Sequence, residues 1–252
     1  MNCKVEKVLS KVPEVTIGFW IIKIMATTLG ETGGDAVSMS MGLGYLTGTV
    51  IFSIVFFLAV LIQIMAKKFH PIIYWITIIA TTTVGTTLAD FADRSLGIGY
   101  TGGSVILLSF LLVSLFVWYR TIGNISVSNI TTVKAEIFYW VTIMFSQTLG
   151  TALGDWTADT ANLGYISAAG IFGGLLIVLV ALYYMTKISR TFLFWTAFIL
   201  TRPLGAVLGD FIDKPINHGG LALSRYTASM VLIIAIVVCI FIFKQKAAEK
   251  TH

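Results

Sequence analysis

The sequence predicts an all-α membrane protein. Eight transmembrane helices form four parallel two-helix repeats, with the odd-numbered helices as the inner layer. Three observations carry this. Of the 252 residues, 57% are hydrophobic and only 12% charged, about half the roughly 25% of a soluble domain. The apolar residues fall into eight long runs. Four tryptophans then head the same downstream pattern, once in every second run.

The runs cover about 15–34, 45–65, 71–90, 99–119, 136–155, 165–186, 191–210 and 222–243. Each is near the ~20 residues that a helix needs to cross a bilayer at about 1.5 Å per residue. They are too long and too uniformly apolar for barrel strands, which alternate every second residue. The first run extends for about 20 residues with no small-residue cleavage site to close it, so it is expected to be a retained helix rather than a signal peptide. Lys4, Lys7 and Lys11 precede it. Lys67 and Lys68 separate runs two and three, Arg120 and Lys134 flank the fourth connection, and Lys187 and Arg190 the sixth. Lys244, Lys246 and Lys250 follow the eighth run. The opposite side has only Arg94, Lys214 and Arg225. The positive-inside rule therefore predicts a multi-pass protein with both termini cytoplasmic. It also assigns the net charge of +5 to topology rather than to nucleic acid, which is not an expected partner. Cys3 and Cys239 stand at opposite ends and offer no disulfide framework.

The repeats are gapless. Counting from Trp20, Trp75, Trp140 and Trp195, column 10 is Gly30, Gly85, Gly150 and Gly205. Column 14 is small (Gly34, Ala89, Gly154, Gly209), and column 15 is aspartate (Asp35, Asp90, Asp155, Asp210). Column 24 is Gly44, Gly99, Gly164 and Gly219, followed by tyrosine in the first three copies. The repeats span approximately 12–66, 67–120, 132–186 and 187–243, within one membrane domain covering 1–252. Two helices per repeat give every copy the same orientation, a parallel arrangement.

On these columns the chain resembles a family of bacterial membrane proteins built from four tandem two-helix repeats, each with a characteristic tryptophan, described as a repeat of unknown function. The resemblance covers about residues 12 to 245. It implies eight helices and a bacterial inner membrane, and it implies no activity.

Columns 0, 3, 7, 10 and 14 share one helical stripe. The small pair at columns 10 and 14 lets backbones approach closely in lipid. This predicts that the odd helices meet through Gly30, Gly85, Gly150 and Gly205. A second stripe, at columns 8, 11, 15 and 18, carries oxygen ligands. It reads Thr28, Glu31, Asp35 and Ser38, then Thr83, Thr86, Asp90 and Asp93, then Thr148, Thr151 and Asp155 with Asp159 one place late. The fourth copy reads Pro203, Ala206, Asp210 and Asp213. Oxygen-only ligands suit a hard divalent ion such as Mn²⁺ or Mg²⁺, and acids inside a membrane are functional candidates. Asp35, Asp90, Asp155, Asp210 and Glu31 are the expected metal ligands, with the threonines and the outer aspartates lining the pathway. The same carboxylates lie near the interface, and the alternative reading is that they only end the helices. Arg202, deep in the seventh run, is expected to pair with Glu31 if repeats 1 and 4 are neighbours. Lys23 is expected to snorkel to the interface, and Pro203 to kink its helix.

The expected function is transport of a cation, with manganese the favoured divalent metal and the bilayer and a small inorganic cation as partners. No cofactor other than a bound Mn²⁺ or Mg²⁺ is expected. The alternatives are a non-catalytic scaffold or sensor and a Mg-dependent enzyme acting on a lipid pyrophosphate. The chain has no P-loop, dinucleotide turn or nucleophile elbow, and no basic cluster is evident beside the aspartates to hold phosphate. An enzyme is therefore not expected.

Overall fold

The computed structural model describes residues 10–248. Lys4, Lys7, Lys250 and Cys3 lie outside the described residues. Eight α-helices are described: α1 (Ile17–Asp35), α2 (Gly44–Met65), α3 (Pro71–Asp90), α4 (Gly99–Ile122), α5 (Val133–Asp155), α6 (Gly164–Met185), α7 (Arg190–Asp213) and α8 (Arg225–Ile242). Six of them, α2, α3, α4, α6, α7 and α8, are long and apolar enough to cross a membrane. Helices α1 and α5 are not among the six. Both carry many hydroxyl and charged side chains, and both bury them: Thr27, Thr28, Glu31, Thr32 and Asp35 on α1, and Thr142, Ser146, Gln147, Thr148, Thr151 and Asp155 on α5.

The odd helices pack in a closed cycle, α1 on α3, α3 on α5, α5 on α7 and α7 on α1. Each even helix packs on the odd helix of the following repeat: α2 on α3, α4 on α5, α6 on α7 and α8 on α1. No repeat is closed on itself; each is completed by the next.

The glycine stripe sets this cycle. A Cβ at Gly30 would overlap the side chain of Thr82, and one at Gly85 would come within 3.0 Å of the Gln147 backbone. At Gly150 it would strike the stem of Arg202, and at Gly205 both side chain and backbone of Thr27. Thr27, Thr82, Gln147 and Arg202 all occupy column 7. One rule repeats four times: column 7 of one helix fills the column 10 notch of the helix before it, and the last copy closes on the first. Close backbone approach of this kind is what small residues provide between helices in lipid.

Below the notches the centre is filled. Column 3 contributes Lys23, Ile78, Ile143 and Phe198, all fully buried. The residues just before the tryptophans, Phe19, Tyr74, Tyr139 and Phe194, make an aromatic layer in which the Tyr74 and Tyr139 hydroxyls share a 2.7 Å hydrogen bond. Strands of chain near the two ends tie this side together. Ala248 N–H donates to Val12 at 2.8 Å, Glu14 N–H to Lys246 at 2.8 Å, and the Lys11 ammonium bonds the Ile64 carbonyl at 2.8 Å and Glu136 at 2.9 Å.

At the other end the column 24 glycines have a backbone role. Gly44, Gly99, Gly164 and Gly219 have φ of 77°, 73°, 70° and 84°, a left-handed region that glycine enters without steric cost. They turn the chain from the odd to the even half of each repeat.

The notch rule separates two glycines of similar helical setting. Gly205→Ala is expected to lower the thermal midpoint in detergent, because overpacking against backbone costs about 1–3 kcal/mol. Gly33→Ala meets no atom within 4 Å, and in a helix should hold or raise the midpoint, because alanine is favoured over glycine there by about 0.5–1 kcal/mol. Thermal denaturation of the two purified variants measures the contrast.

Candidate functional site

The column 15 aspartates stand where α1, α3 and α5 end. Asp35, Asp90 and Asp155 are the last α-helical residues, and a π-helical turn follows each: Ala36–Ser40, Phe91–Ser95 and Trp156–Thr160. π-turns inside helices are frequent at functional positions. Helix α7 instead runs on past Asp210 to Asp213, and Pro215 follows. Asp35, Asp90 and Asp155 make no side-chain capping bond to the turns that follow them. All four column 15 aspartates are buried, as is Glu31.

Arg202 lies at the middle of the bundle and is fully buried. Its stem fills the Gly150 notch. Its Nη2 is 2.9 Å from Glu31 Oε2 and also donates to the hydroxyls of Thr86 and Thr151. Glu31, Thr86 and Thr151 are column 11 of the other three repeats, so one guanidinium contacts that column in all three. Thr86 adds bonds to the Gly30 carbonyl at 3.2 Å and to Glu31 Oε2 at 3.3 Å. The hydroxyls of Thr28, Thr83 and Thr148 each donate back to their own helix, at Ile24, Ile79 and Met144.

One turn further along, two basic residues clamp the aspartates in pairs. Arg94 Nε is 2.9 Å from Asp90 and its Nη2 is 3.2 Å from Asp155. Its Nη1 donates to the Tyr45 hydroxyl at 3.3 Å, and the guanidinium lies over the rings of Tyr45 and Tyr100. Lys214 Nζ is 3.0 Å from Asp35 and 3.1 Å from Asp210. Burial works against the Lys214 ammonium, but the carboxylates of Asp210, Asp35 and Asp213 hold its pKa above the ordinary lysine range. Arg225 completes this side, with Nε 2.7 Å from Asp213 and Nη2 3.6 Å from Asp35. Glu31, Asp35 and Asp210 also form a set of their own: each offers one carboxylate oxygen, and the three lie within 4.8 Å of one another.

Above the clamps a cavity of about 650 Å³ opens at this end. Met39, Arg94, Asp159 and Lys214, the four residues of column 19, all line it, with Tyr165, His218 and Arg225.

Several sequence expectations change here. Lys23 does not snorkel: column 3 faces the centre, and its ammonium rests 4.0 Å over the Phe198 ring, 3.4 Å from the Thr201 hydroxyl. The aspartate side does gather basic residues, because Arg94, Lys214, Arg225 and His218 share one cavity; the three charged ones are each matched to an aspartate. The four column 15 aspartates divide into two pairs rather than one ring. Asp93 turns against Gly103 of α4, Asp213 is taken by Arg225, and Asp159 is exposed at the mouth. Column 19 was the missed signal. Carrying the repeat alignment four residues past the aspartate shows a base in the second and fourth copies only, and i,i+4 spacing puts each base over its own aspartate.

The chain belongs to the family described as Repeat of Unknown Function (DUF347), which matches four times in tandem, at residues 18–69, 73–124, 138–189 and 193–247. No curated protein and no solved structure matches it.

A buried ion pair is costly to break from one side only, about 3–5 kcal/mol, because the survivor is left without a partner. Glu31→Gln and Arg202→Gln are each expected to lower thermal stability markedly. The double variant should recover much of the loss, and a double-mutant cycle reads the coupling directly.

Proposed function

We propose that this repeat protein is a bacterial inner-membrane transporter of a divalent cation, with Mn²⁺ the favoured substrate. In this reading all eight α-helices cross the bilayer and the odd ones form the inner layer. Both termini are cytoplasmic in this reading, which the excess of lysines and arginines at their end of the bundle supports under the positive-inside rule, and the 650 Å³ cavity faces outward.

The observation that carries the reading is the set Glu31, Asp35 and Asp210. Three buried carboxylates with oxygens within 4.8 Å of one another make a hard, oxygen-only ligand set, separated from the open cavity by Lys214, which lines the cavity and contacts Asp35 and Asp210. Such a set suits Mn²⁺ or Mg²⁺ with water completing the shell. It lies between repeats 1 and 4, off the central axis, where Glu31 also answers the charge of Arg202. Thr86 and Thr151 lie at the same depth, and the aromatic layer closes the path below. The packed aromatic floor fits a carrier that changes conformation better than an open channel. The protein is not proposed to be an enzyme, since every arginine and lysine at the cavity is already matched to an aspartate. The same matching favours a scaffold as the second reading, in which the carboxylates serve only to hold the repeats together.

Metal flux separates the two. Purified protein in liposomes should move Mn²⁺ with no lipid substrate added. Asp35→Asn and Asp210→Asn should each reduce the rate at least ~10-fold, since mutating even a group that only supports a metal ligand typically costs about that much. Asp93→Asn should reduce it much less. Equal flux in all four proteins, or none in any, favours the scaffold.

A further inference from the structure

Lys214 stands between the cavity and the carboxylate set. It lines the cavity, and its Nζ touches Asp35 and Asp210 at 3.0 and 3.1 Å. A cation passing from the cavity to Asp35 and Asp210 meets this ammonium in the position that the ion itself would take between those two carboxylates. Lys214 is also the first residue beyond α7, and its side chain is 14% exposed, so a rotation about its own four-carbon stem carries it into open space.

The opposite clamp is built differently. Arg94 reaches Asp90 and Asp155 through two separate nitrogens, bonds Tyr45 with a third, and is flanked by two tyrosine rings. A planar fork held at that many points is a fixture, whereas a lysine is a single charge on a flexible stem.

Charge points the same way. Glu31, Asp35, Asp210 and Asp213 with Arg202, Lys214 and Arg225 sum to −1. Replacing Lys214 by a divalent ion brings the sum to 0, while removing Lys214 without replacement leaves −2. Both cations together give +1. One divalent ion or one lysine, not both, is the arrangement that keeps the buried cluster near neutrality, and only the divalent ion makes it neutral. Asp35 Oδ1 is buried without a hydrogen-bond partner, which leaves a ligand atom available to an ion that coordinates more widely than an ammonium.

We propose that Lys214 is a tethered counter-cation that holds the place of the transported ion, and that a divalent cation enters by displacing it from Asp35 and Asp210 into the outward cavity. The inference rests on the transporter reading and adds to it a gate: the empty site is closed by its own lysine, and the second clamp, through Arg94, stays shut throughout.

Two measurements test this. In the wild-type protein, Lys214 should react faster with a water-soluble amine-acetylating reagent when saturated with Mn²⁺ than without it, read by mass spectrometry of the peptide. Calorimetry should show that Lys214→Gln binds Mn²⁺ at least ~10-fold more tightly than wild type, because removing a resident competitor raises the fraction of sites open to the ion. Arg94→Gln should show no such gain. Saturable Mn²⁺ binding that depends on Asp210, with Lys214 acetylation unchanged or slowed by the metal, overturns the gate and leaves the transporter. Mn²⁺ binding that is absent, or that ignores Asp35→Asn and Asp210→Asn, removes the transporter reading and the gate with it.

Discussion

Everything in this bundle depends on the fit of column 7 into the column 10 glycine. In lipid there is no hydrophobic drive to hold apolar helices together, so close packing and internal hydrogen bonds must do it. Four glycines placed at one depth give four notches, and the residue seven after each tryptophan fills the next one round. The cycle α1–α3–α5–α7 is the consequence, and it makes repeat 4 a neighbour of repeat 1. The even helices follow, each packing on the odd helix of the repeat after its own, so that no two-helix unit has a complete interface until the ring is closed.

The polar interior follows from the same fit. Column 7 is threonine in two copies and glutamine in a third; in the fourth it is Arg202, whose stem is held in the Gly150 notch and whose guanidinium is carried to the centre. A charge there is tolerated only with a partner. Glu31 supplies it from column 11 of the repeat that ring closure brings alongside. One turn further out, the two pairs of aspartates are held by Arg94 and Lys214, alternate copies of column 19. The pseudo-four-fold backbone is thus reduced to something closer to two-fold in its charges, and then to none, because one clamp is arginine and the other lysine. The proposed site sits on the lysine side, beside Glu31.

Much of this was legible in the sequence, and the limits are physical. Helix positions agree with the apolar runs to within a few residues, because hydrophobic length is a direct consequence of bilayer thickness. The Arg202–Glu31 contact was readable because both depth and column were known, on the one condition that repeats 1 and 4 touch. What the columns did not carry is direction around the axis beyond the stripe itself. Asp93 shares a nominal face with Asp90, yet the π-turn after Asp90 rotates it onto α4. Lys23 is within snorkelling reach of the interface by depth, but its column points inward, where the Phe198 face receives it. The bases of column 19 fall one position off the oxygen stripe of columns 8, 11, 15 and 18, so that stripe alone does not show Arg94 and Lys214 pairing with the aspartates.

In the proposed transporter Glu31, Asp35 and Asp210 together bind one hard divalent ion. Electron paramagnetic resonance of Mn²⁺ added to the purified protein tests it most directly, because the hexaquo ion and a carboxylate-bound ion have different spectra. One bound Mn²⁺ per chain with an oxygen-only coordination sphere is expected, lost in Asp35→Asn and in Asp210→Asn and retained in Asp93→Asn. A spectrum that remains that of the free aqueous ion, or a bound signal indifferent to Asp35 and Asp210, would contradict it.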